Sequence, residues 1–311
     1  MTDLHIELNA ILSGHQNPIY TVENGPLPHQ ILTAGNDKGV VLWDLDKMGF
    51  EKVLLPVESS VYALCYIPAR NFLIVGERSG KIVLFDFETN TVVSELTYHD
   101  KPVFDLLYIP GKDELLAASE DGTVSIWCLK SLRKLHHLAL SEVTVRTIRL
   151  SPDESTIAFG TKDGKVYLFS AVDYSFLHLL SDHRMPVTSM SFSPDGKHLL
   201  TGGRDAQLNI YQTADYKLFQ QITAHMFTIY SIAYHPELAL FATGSRDKSI
   251  KLWDAASFRL IKTISFEKGY DAHKLSINKM IWNANSNQLI SVGDEKLAYV
   301  WSVNASDTNA L

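Results

Sequence analysis

The chain repeats one motif, which is clearest in the segment Thr243–Asp254, TGSRDKSIKLWD. A short apolar run leads into a group of turn residues, and alternating apolar and polar residues then end in Trp253. This pattern predicts two antiparallel strands joined by a tight turn. Further strands are predicted at Ile229–Tyr234 upstream and Leu260–Ile264 downstream, so the repeating unit is a small four-stranded antiparallel sheet.

Three positions of this motif recur along the whole chain. Six aromatic anchors follow one another at intervals of 42 residues, and a seventh comes after 48: Trp43, Phe85, Trp127, Phe169, Tyr211, Trp253 and Trp301. The position six residues before each anchor holds Asp37, Ser79, Asp121, Asp163, Asp205, Asp247 and Glu295. The position 22 residues earlier again holds His15, Val57, His99, Ser141, His183, His225 and His273.

A period of about 40 to 45 residues with this pattern resembles the WD-repeat β-propeller family. Gly14-His15 with Trp43-Asp44 carries the resemblance best, together with Ala224-His225 and Trp253-Asp254. The resemblance implies an all-β fold, namely a seven-bladed β-propeller of four-stranded antiparallel blades. Because the seven units account for nearly the whole sequence, we expect one domain over residues 1–311.

The first strand has no unit of its own. Residues Leu4–Leu12 alternate between apolar and polar, whereas the residues after Val303 are too polar to supply a fourth strand to the last blade. In the family, the N-terminal strand completes that blade, which removes a bare sheet edge. We therefore expect Leu4–Leu12 to pair with the strand that contains Trp301.

The family resemblance also implies a hydrogen-bonded chain in each blade, from the Trp indole through a hydroxyl group and the imidazole to the carboxylate. Complete sets are predicted in three units: His15, Thr33, Asp37 and Trp43; His225, Thr243, Asp247 and Trp253; His273, Ser291, Glu295 and Trp301. Unit five keeps the pattern with the phenol of Tyr211, and unit three lacks the hydroxyl at Ala117. Units two and four are predicted to be held by apolar packing alone.

Recurring His, Asp and Ser or Thr residues would also suit a hydrolase or a metal site. A catalytic or metal site is needed once, however, whereas this set recurs in blade after blade, as a structural requirement does. Nucleotide-binding, nucleophile-elbow and His-Glu-x-x-His motifs are absent from the sequence. We therefore expect no catalytic residue, no metal and no cofactor.

Composition narrows the class of partner and the compartment. The formal net charge is −7, which argues against broad affinity for nucleic acid. The sequence has two cysteines without a CxxC spacing, no apolar run long enough for a membrane span and no signal peptide at its start. These features predict a cytoplasmic protein that binds neither nucleic acid nor membrane.

By resemblance, two positions per blade point toward the so-called top face. The first set is Tyr20, Tyr62, Phe104, Arg146, Thr188, Tyr230 and Asn278, and the second is Asn36, Arg78, Glu120, Lys162, Arg204, Arg246 and Asp294. Together they carry five basic and two acidic side chains, an excess of three positive charges on an acidic protein. Tyr and Arg are enriched at interfaces, although Arg before Asp is also common in such turns and the aromatic residues could be packing.

The leading hypothesis is a non-catalytic scaffold that binds a protein or peptide on the top face around the central channel, with an acidic segment as the candidate partner. The alternative is a small-molecule-binding or enzymatic propeller that uses the channel. Unit seven has six additional residues within Phe266–His273, which we expect to project from the top face as a functional loop or as a neutral insertion.

Overall fold

The computed structural model describes residues 4–140, 142–283 and 287–305. The described residues form seven four-stranded antiparallel sheets, as the repeats predict. Six sheets are built from consecutive strands, and the seventh combines the first strand of the chain with the last three. Ser141, at the histidine position of unit four, lies outside the described residues.

The strands have the following bounds, from the innermost to the outermost in blades one to six. The first strand is β1 (Leu4–Ser13). Blade one has β2 (Ile19–Asn24), β3 (Gln30–Gly35), β4 (Gly39–Asp44) and β5 (Gly49–Pro56). Blade two has β6 (Val61–Ile67), β7 (Phe72–Glu77), β8 (Ile82–Asp86) and β9 (Thr91–Leu96). Blade three has β10 (Val103–Ile109), β11 (Glu114–Ser119), β12 (Thr123–Cys128) and β13 (Arg133–Ala139).

The remaining blades repeat the arrangement. Blade four has β14 (Val145–Leu150), β15 (Thr156–Thr161), β16 (Val166–Ser170) and β17 (Phe176–Leu180). Blade five has β18 (Val187–Phe192), β19 (His198–Gly203), β20 (Gln207–Gln212) and β21 (Leu218–Thr223). Blade six has β22 (Ile229–Tyr234), β23 (Leu240–Ser245), β24 (Ile250–Asp254) and β25 (Leu260–Ile264). Blade seven has β26 (Ile277–Asn283), β27 (Gln288–Gly293) and β28 (Leu297–Ala305), with β1 outside them.

The N-terminal strand closes the ring, which confirms the prediction. β1 runs antiparallel to β28, with Leu8 opposite Trp301. One side chain is buried at each end of β1. Leu4 packs between blades six and seven, and Leu12 packs between blades seven and one. β1 therefore supplies both backbone hydrogen bonds and apolar contacts to the last blade.

The hydrophobic core is divided into layers between neighbouring blades. Each of seven buried apolar clusters in the described residues joins one blade to the next around the ring. The anchors Trp43 and Trp301 are only 1% and 0% exposed in these layers. At about 25 cal/mol per Å² of apolar surface, burial of such large side chains supplies much of the stability.

Helices contribute little to this fold. The described residues include three short 3₁₀ helices at Pro68–Arg70, Pro110–Lys112 and Phe266–Lys268. Within the described chain, no helix has the length and apolar character needed to cross a membrane.

Candidate functional site

All seven inner strands carry a β-bulge at the same position. The pairing register shifts around Tyr20 in β2, and equivalent shifts occur in the other six inner strands. A bulge leaves one residue unpaired and redirects its side chain. The seven bulged residues are those of the first predicted top-face set: Tyr20, Tyr62, Phe104, Arg146, Thr188, Tyr230 and Asn278.

These seven side chains surround one cavity at the end of the ring axis. The cavity has a volume of about 470 Å³ and receives side chains from all seven inner strands. We call this cavity the channel mouth, and the end of the ring where the inner strands begin the top face. The fold thus brings together seven residues that are far apart in the sequence.

Aromatic residues form a continuous arc on one side of the channel mouth. The rings of Tyr20 and Tyr62 stack with centroids 5.2 Å apart, and those of Tyr62 and Phe104 lie 5.3 Å apart. The Arg146 guanidinium carbon lies 4.7 Å from the centroid of Phe104, within the range of a cation–π contact. We call Tyr20, Tyr62 and Phe104 the aromatic arc; all three are partly exposed.

The second predicted set lies at the same end of the ring. In every blade, the backbone N–H of its member donates to a carbonyl two residues before the bulged residue; for Arg246 the acceptor is Thr228, at 3.0 Å. This bond holds the turn between the second and third strands against the start of the inner strand. Lys162, Arg204 and Arg246 are exposed there on consecutive blades, and we call them the basic arc. Arg78 is exposed at the equivalent position of blade two.

Sequence reasoning missed a set of apolar side chains on this face. The residues that directly follow the histidine position include Met226, Phe227 and Met185, which are 82%, 54% and 41% exposed. Leu275 in blade seven is 47% exposed. The corresponding residues of blades one and three are polar: Gln16-Asn17 and Asp100-Lys101. This difference between apolar and polar residues at one position of the repeat is the sequence signal that could have identified the exposed apolar set.

Charged side chains line the channel mouth and the part of the channel next to it. Arg149 donates from Nη1 to Asp105 Oδ2 at 2.7 Å, and the Ile148 N–H donates to the same oxygen at 2.9 Å. Burial alone would raise the pKa of Asp105, but the positive charges of Arg149 and Lys279 outweigh it and lower the pKa. Burial raises the pKa of Glu23, in the same channel, to about 7.

Hydrogen-bonded chains connect the anchors to the acidic residues in blades one, six and seven. In blade one, Trp43 Nε1 donates to Thr33 Oγ1 at 2.7 Å, His15 Nε2 lies 2.7 Å from the same hydroxyl, and Nδ1 lies 2.6 Å from Asp37. We call such a chain a brace. The corresponding bonds of blade six measure 2.8, 2.8 and 2.9 Å, through Thr243, His225 and Asp247.

Blade seven repeats the brace with a longer acid. Trp301 Nε1 donates to Ser291 Oγ at 3.1 Å, and His273 Nε2 lies 2.7 Å from that oxygen. His273 Nδ1 is hydrogen-bonded to Glu295. Burial lowers the pKa of His273 to about 3, and burial also lowers the pKa values of His15 and His225. The brace imidazoles are therefore neutral at pH 7.

Blade three has a complete brace, contrary to the prediction that it lacks the hydroxyl. Ser125 supplies that group: His99 Nε2 lies 2.8 Å from Ser125 Oγ, and Trp127 Nε1 donates to it at 2.8 Å. Ser125 is on the third strand, directly opposite Ala117 in the pairing register. The hydroxyl thus comes from the neighbouring strand and reaches the same place.

Blade five keeps only part of the brace. His183 Nε2 lies 2.7 Å from Thr201 Oγ1, and Nδ1 lies 3.0 Å from Asp205. The Tyr211 hydroxyl donates to Asp182 at 3.1 Å and accepts a bond from Asn209 at 3.4 Å. The longer phenol therefore reaches a different carboxylate from the one that the histidine contacts.

The prediction that apolar packing alone holds blades two and four is wrong. In blade two, the buried Glu77 carboxylate accepts bonds from Ser59 Oγ at 2.8 Å and Ser79 Oγ at 3.0 Å. In blade four, Thr161 Oγ1 donates to Asp163 at 2.5 Å. In blade two, Glu77 and its two serine partners thus bond this turn without a histidine, and Thr161 and Asp163 bond the corresponding turn of blade four.

The additional residues of unit seven are partly structural. Tyr270 packs edge-on against Trp301, with centroids 6.3 Å apart, in the core layer between blades six and seven. Phe266 is 59% exposed, and the Lys274 ammonium group lies 5.4 Å from its ring centroid. One aromatic residue of this segment therefore fills the core, and another is on the surface.

One group of residues in the described chain has the spacing of metal ligands, namely His29, Asp44 and Asp46. Asp44 is already bound by the Lys47 ammonium group at 2.7 Å and by two backbone N–H groups. These bonds make Asp44 a turn-capping residue. His136, His137 and His178 are exposed on outer strands.

Comparison with known proteins agrees with this architecture. The family model described as "WD domain, G-beta repeat" matches residues 6–44, 90–128, 129–170, 174–212 and 216–254, which together make up more than half of the chain. A comparison with curated proteins finds no match. The two blades that the family model leaves out are blade two, whose histidine position is Val57, and blade seven, which contains the additional residues. With seven four-stranded blades and five matched repeats, the chain belongs to the WD40 repeat family.

Proposed function

We propose that the protein is a non-catalytic scaffold that binds a protein or peptide segment on the top face, centred on the channel mouth. The observation that carries this proposal is the aromatic arc, in which three partly exposed rings are held in contact by neighbouring bulges. Rigid aromatic side chains next to arginine are the usual source of binding energy at protein interfaces. Propellers of this family typically serve as protein-interaction scaffolds, which supports the same conclusion.

The rest of the top face extends this surface over blades five to seven. Met185, Met226 and Phe227 expose apolar area beside the basic arc. Exposed Met and Phe side chains adapt to apolar partner residues, while Arg and Lys bind carboxylates. A segment that combines acidic and apolar residues fits this half of the face.

The charge distribution favours an acidic partner segment over nucleic acid. The whole chain has a formal net charge of −7, whereas the basic arc presents three positive charges on consecutive blades. A protein with this overall charge would repel a long phosphate backbone beyond the immediate contact. A short acidic segment meets only the local positive field.

A small-molecule ligand in the channel is the second candidate function. Two observations favour it: the channel mouth has a volume of about 470 Å³, which is typical of ligand sites, and it lies directly above ionisable groups with shifted pKa values. The direct Asp105–Arg149 ion pair accounts for part of this pattern without a reaction. Mass spectrometry of the protein purified under native conditions tests this candidate, because a retained ligand would add a defined mass.

The test of the scaffold proposal is capture of partner chains, followed by affinity measurement with matched variants. Chains that co-purify with the wild type are identified and purified, and their binding is measured by calorimetry. Tyr62→Ala should weaken binding about tenfold or more, since it interrupts the middle of the aromatic arc. His137→Ala, on the outer strand of blade three, is the control and should bind as the wild type does. Equal affinity for all three proteins would contradict the proposal.

A further inference from the structure

The channel mouth contains more positive than negative charge. Its lining includes four basic and two acidic side chains: Arg146, Arg149, Arg246, Lys279, Asp105 and Asp294. Both acidic side chains already have partners. Asp105 is paired with Arg149, and Asp294 accepts a hydrogen bond from Asn278 Nδ2 at 2.8 Å. The lining therefore has an excess of two positive charges, and Arg146, Arg246 and Lys279 form no ion pair with these two acids.

Two of these cations lie inside the cavity rather than at its rim. Arg146 is on the bulge of β14, and Lys279 directly follows the bulge of β26. Neither forms an ion pair with any residue that the structure describes. Asp105 and Glu23 act on Lys279, and Glu120 acts on Arg146, only from beyond ion-pair distance, so neither positive charge is neutralised by direct contact.

Arg146 has a free hydrogen-bond donor in a fixed place. Its Nε is buried without a hydrogen-bond partner among the described residues. Its guanidinium group is held over Phe104, so the donor does not depend on a flexible side chain. Buried N–H groups are nearly always paired, so this unpaired donor beside the cavity requires an explanation, and a bound oxyanion held by the guanidinium group is one.

We propose that the channel mouth binds an oxyanion, a carboxylate or phosphoryl group that receives hydrogen bonds from the Arg146 guanidinium group and the Lys279 ammonium group. The aromatic arc would hold the chain to which this group is attached. The inference rests on the proposed function to the extent that a partner segment supplies the anion. Free inorganic phosphate offers the same chemistry from a second source.

The aromatic arc by itself would also suit a cationic group. Arg146 opposes that interpretation, because it already lies over Phe104 and would repel a second cation. Lys279 adds a further positive charge to the same cavity. The combination of rings and unpaired cations therefore selects an anionic group with an attached carbon chain.

The test is the melting temperature as a function of inorganic phosphate, with ionic strength held constant by chloride. Phosphate should raise the melting temperature of the wild type saturably, by about 2 °C at ten times its dissociation constant. The double variant Arg146→Met, Lys279→Met should lose this response. In the control, Lys52→Met, Lys217→Met removes two exposed charges outside the top face and should keep it.

Capped tripeptides distinguish the two sources of the anion. Acetyl-Gly-Glu-Gly-amide and its phosphoserine analogue should raise the melting temperature more than free phosphate at equal concentration if a partner segment is the source, and the serine analogue should have no effect. A larger effect of free phosphate would assign the site to the free ion. The single variants Arg146→Gln and Lys279→Gln replace the double variant if it fails to fold.

Two results would overturn the inference: a phosphate response no larger than that of chloride, or the same response in the wild type and the double variant. Tyr62→Ala separates this failure from failure of the proposed function. If the phosphate response is absent and Tyr62→Ala still loses its captured partner, the oxyanion site is wrong and the scaffold proposal stands. If the phosphate response is present and Tyr62→Ala binds the captured partner as the wild type does, the oxyanion site stands and the scaffold proposal is wrong.

Discussion

The histidine position and the bulged mouth position each recur once per unit, but the first keeps one residue type in most units and the second varies. The brace position is histidine in five of seven units, and each of these histidines contacts a hydroxyl and a carboxylate. The bulged mouth position holds five residue types: Tyr, Phe, Arg, Thr and Asn. The brace position has the same structural role in each blade, so its residue type is kept. The mouth position faces a partner that has no sevenfold symmetry, so its residue type can differ from blade to blade.

This contrast indicates that stability and binding depend on separate sets of residues. The braces are buried between strands, and the mouth residues are partly exposed around a cavity. Changes in the braces should therefore lower the free energy of unfolding without selecting among partners. Changes in the mouth should do the opposite.

The largest effect is expected from opening the ring. Deleting residues 1–12 removes most of the partner strand of β28 and two core side chains, Leu4 and Leu12. We expect the melting temperature to fall by about 10 °C or more, because a bare edge and two open core layers remain. Adding residues 1–13 back as a peptide should recover part of the loss. An unchanged melting curve would contradict the closure argument.

The second-largest effect is expected from lowering the pH, which should weaken the braces. The pKa values of His15, His225 and His273 are lowered by burial, so the unfolded chain binds more protons below its histidine pKa of about 6.5. Stability is therefore lost as the pH falls from 7 to 5, by about 2 kcal/mol for His273. The raised pKa of Glu23 has the opposite effect. Its protonation in the folded protein adds about 2 kcal/mol to the free energy of unfolding over the same pH range.

The contributions of His273 and Glu23 nearly cancel, so the net loss between pH 7 and pH 5, measured by denaturant unfolding at each pH, comes from His15 and His225. The variant Glu23→Gln removes the opposing contribution and should show a steeper loss. A free energy of unfolding that rises toward pH 5 in Glu23→Gln would mean that the braces are not neutral imidazoles.

Removal of a single brace should have a smaller effect. His225→Ala leaves the Thr243 hydroxyl and the Asp247 carboxylate without their shared partner, which should cost about 1 to 3 kcal/mol in urea unfolding. His137→Ala, an exposed residue, should change the free energy of unfolding by less than about 0.5 kcal/mol. Equal losses of unfolding free energy in the two variants would contradict a structural role for the brace.

The smallest effect concerns the origin of the hydroxyl in blade three. Ser125→Ala should cost about 1 to 2 kcal/mol, because His99 Nε2 and Trp127 Nε1 lose their common partner. Adding Ala117→Ser moves a hydroxyl to the opposite strand and should restore part of the loss. If the double variant is no more stable than Ser125→Ala, the two positions are not interchangeable.

The blade architecture was predictable because its signals are periodic. The 42-residue interval fixes the number of blades, and the alternation of Leu4–Leu12 predicts the closing strand. The complete braces of blades one, six and seven follow from fixed offsets along one chain. Each of these features is local or repeats, so a single sequence is enough.

The exceptions depend on contacts between strands. Ser125 replaces a hydroxyl at Ala117 because the two residues face each other across the sheet, which spacing along the chain does not reveal. Glu77 becomes an acceptor only where two serines converge on it. The unpaired state of Arg146 and Lys279 depends on which acids the ring brings near them. These properties arise from packing, and a repeat pattern does not encode them.

The most direct test of the separation between braces and mouth measures both properties in two variants. For Tyr62→Ala and His225→Ala, urea unfolding gives the free energy of unfolding, and calorimetry gives the affinity for a partner that the wild type captures. Tyr62→Ala should lose about tenfold or more in affinity and less than about 1 kcal/mol in stability, and His225→Ala should show the reverse. If both variants lose stability and affinity in the same proportion, braces and mouth are not separate functional sets.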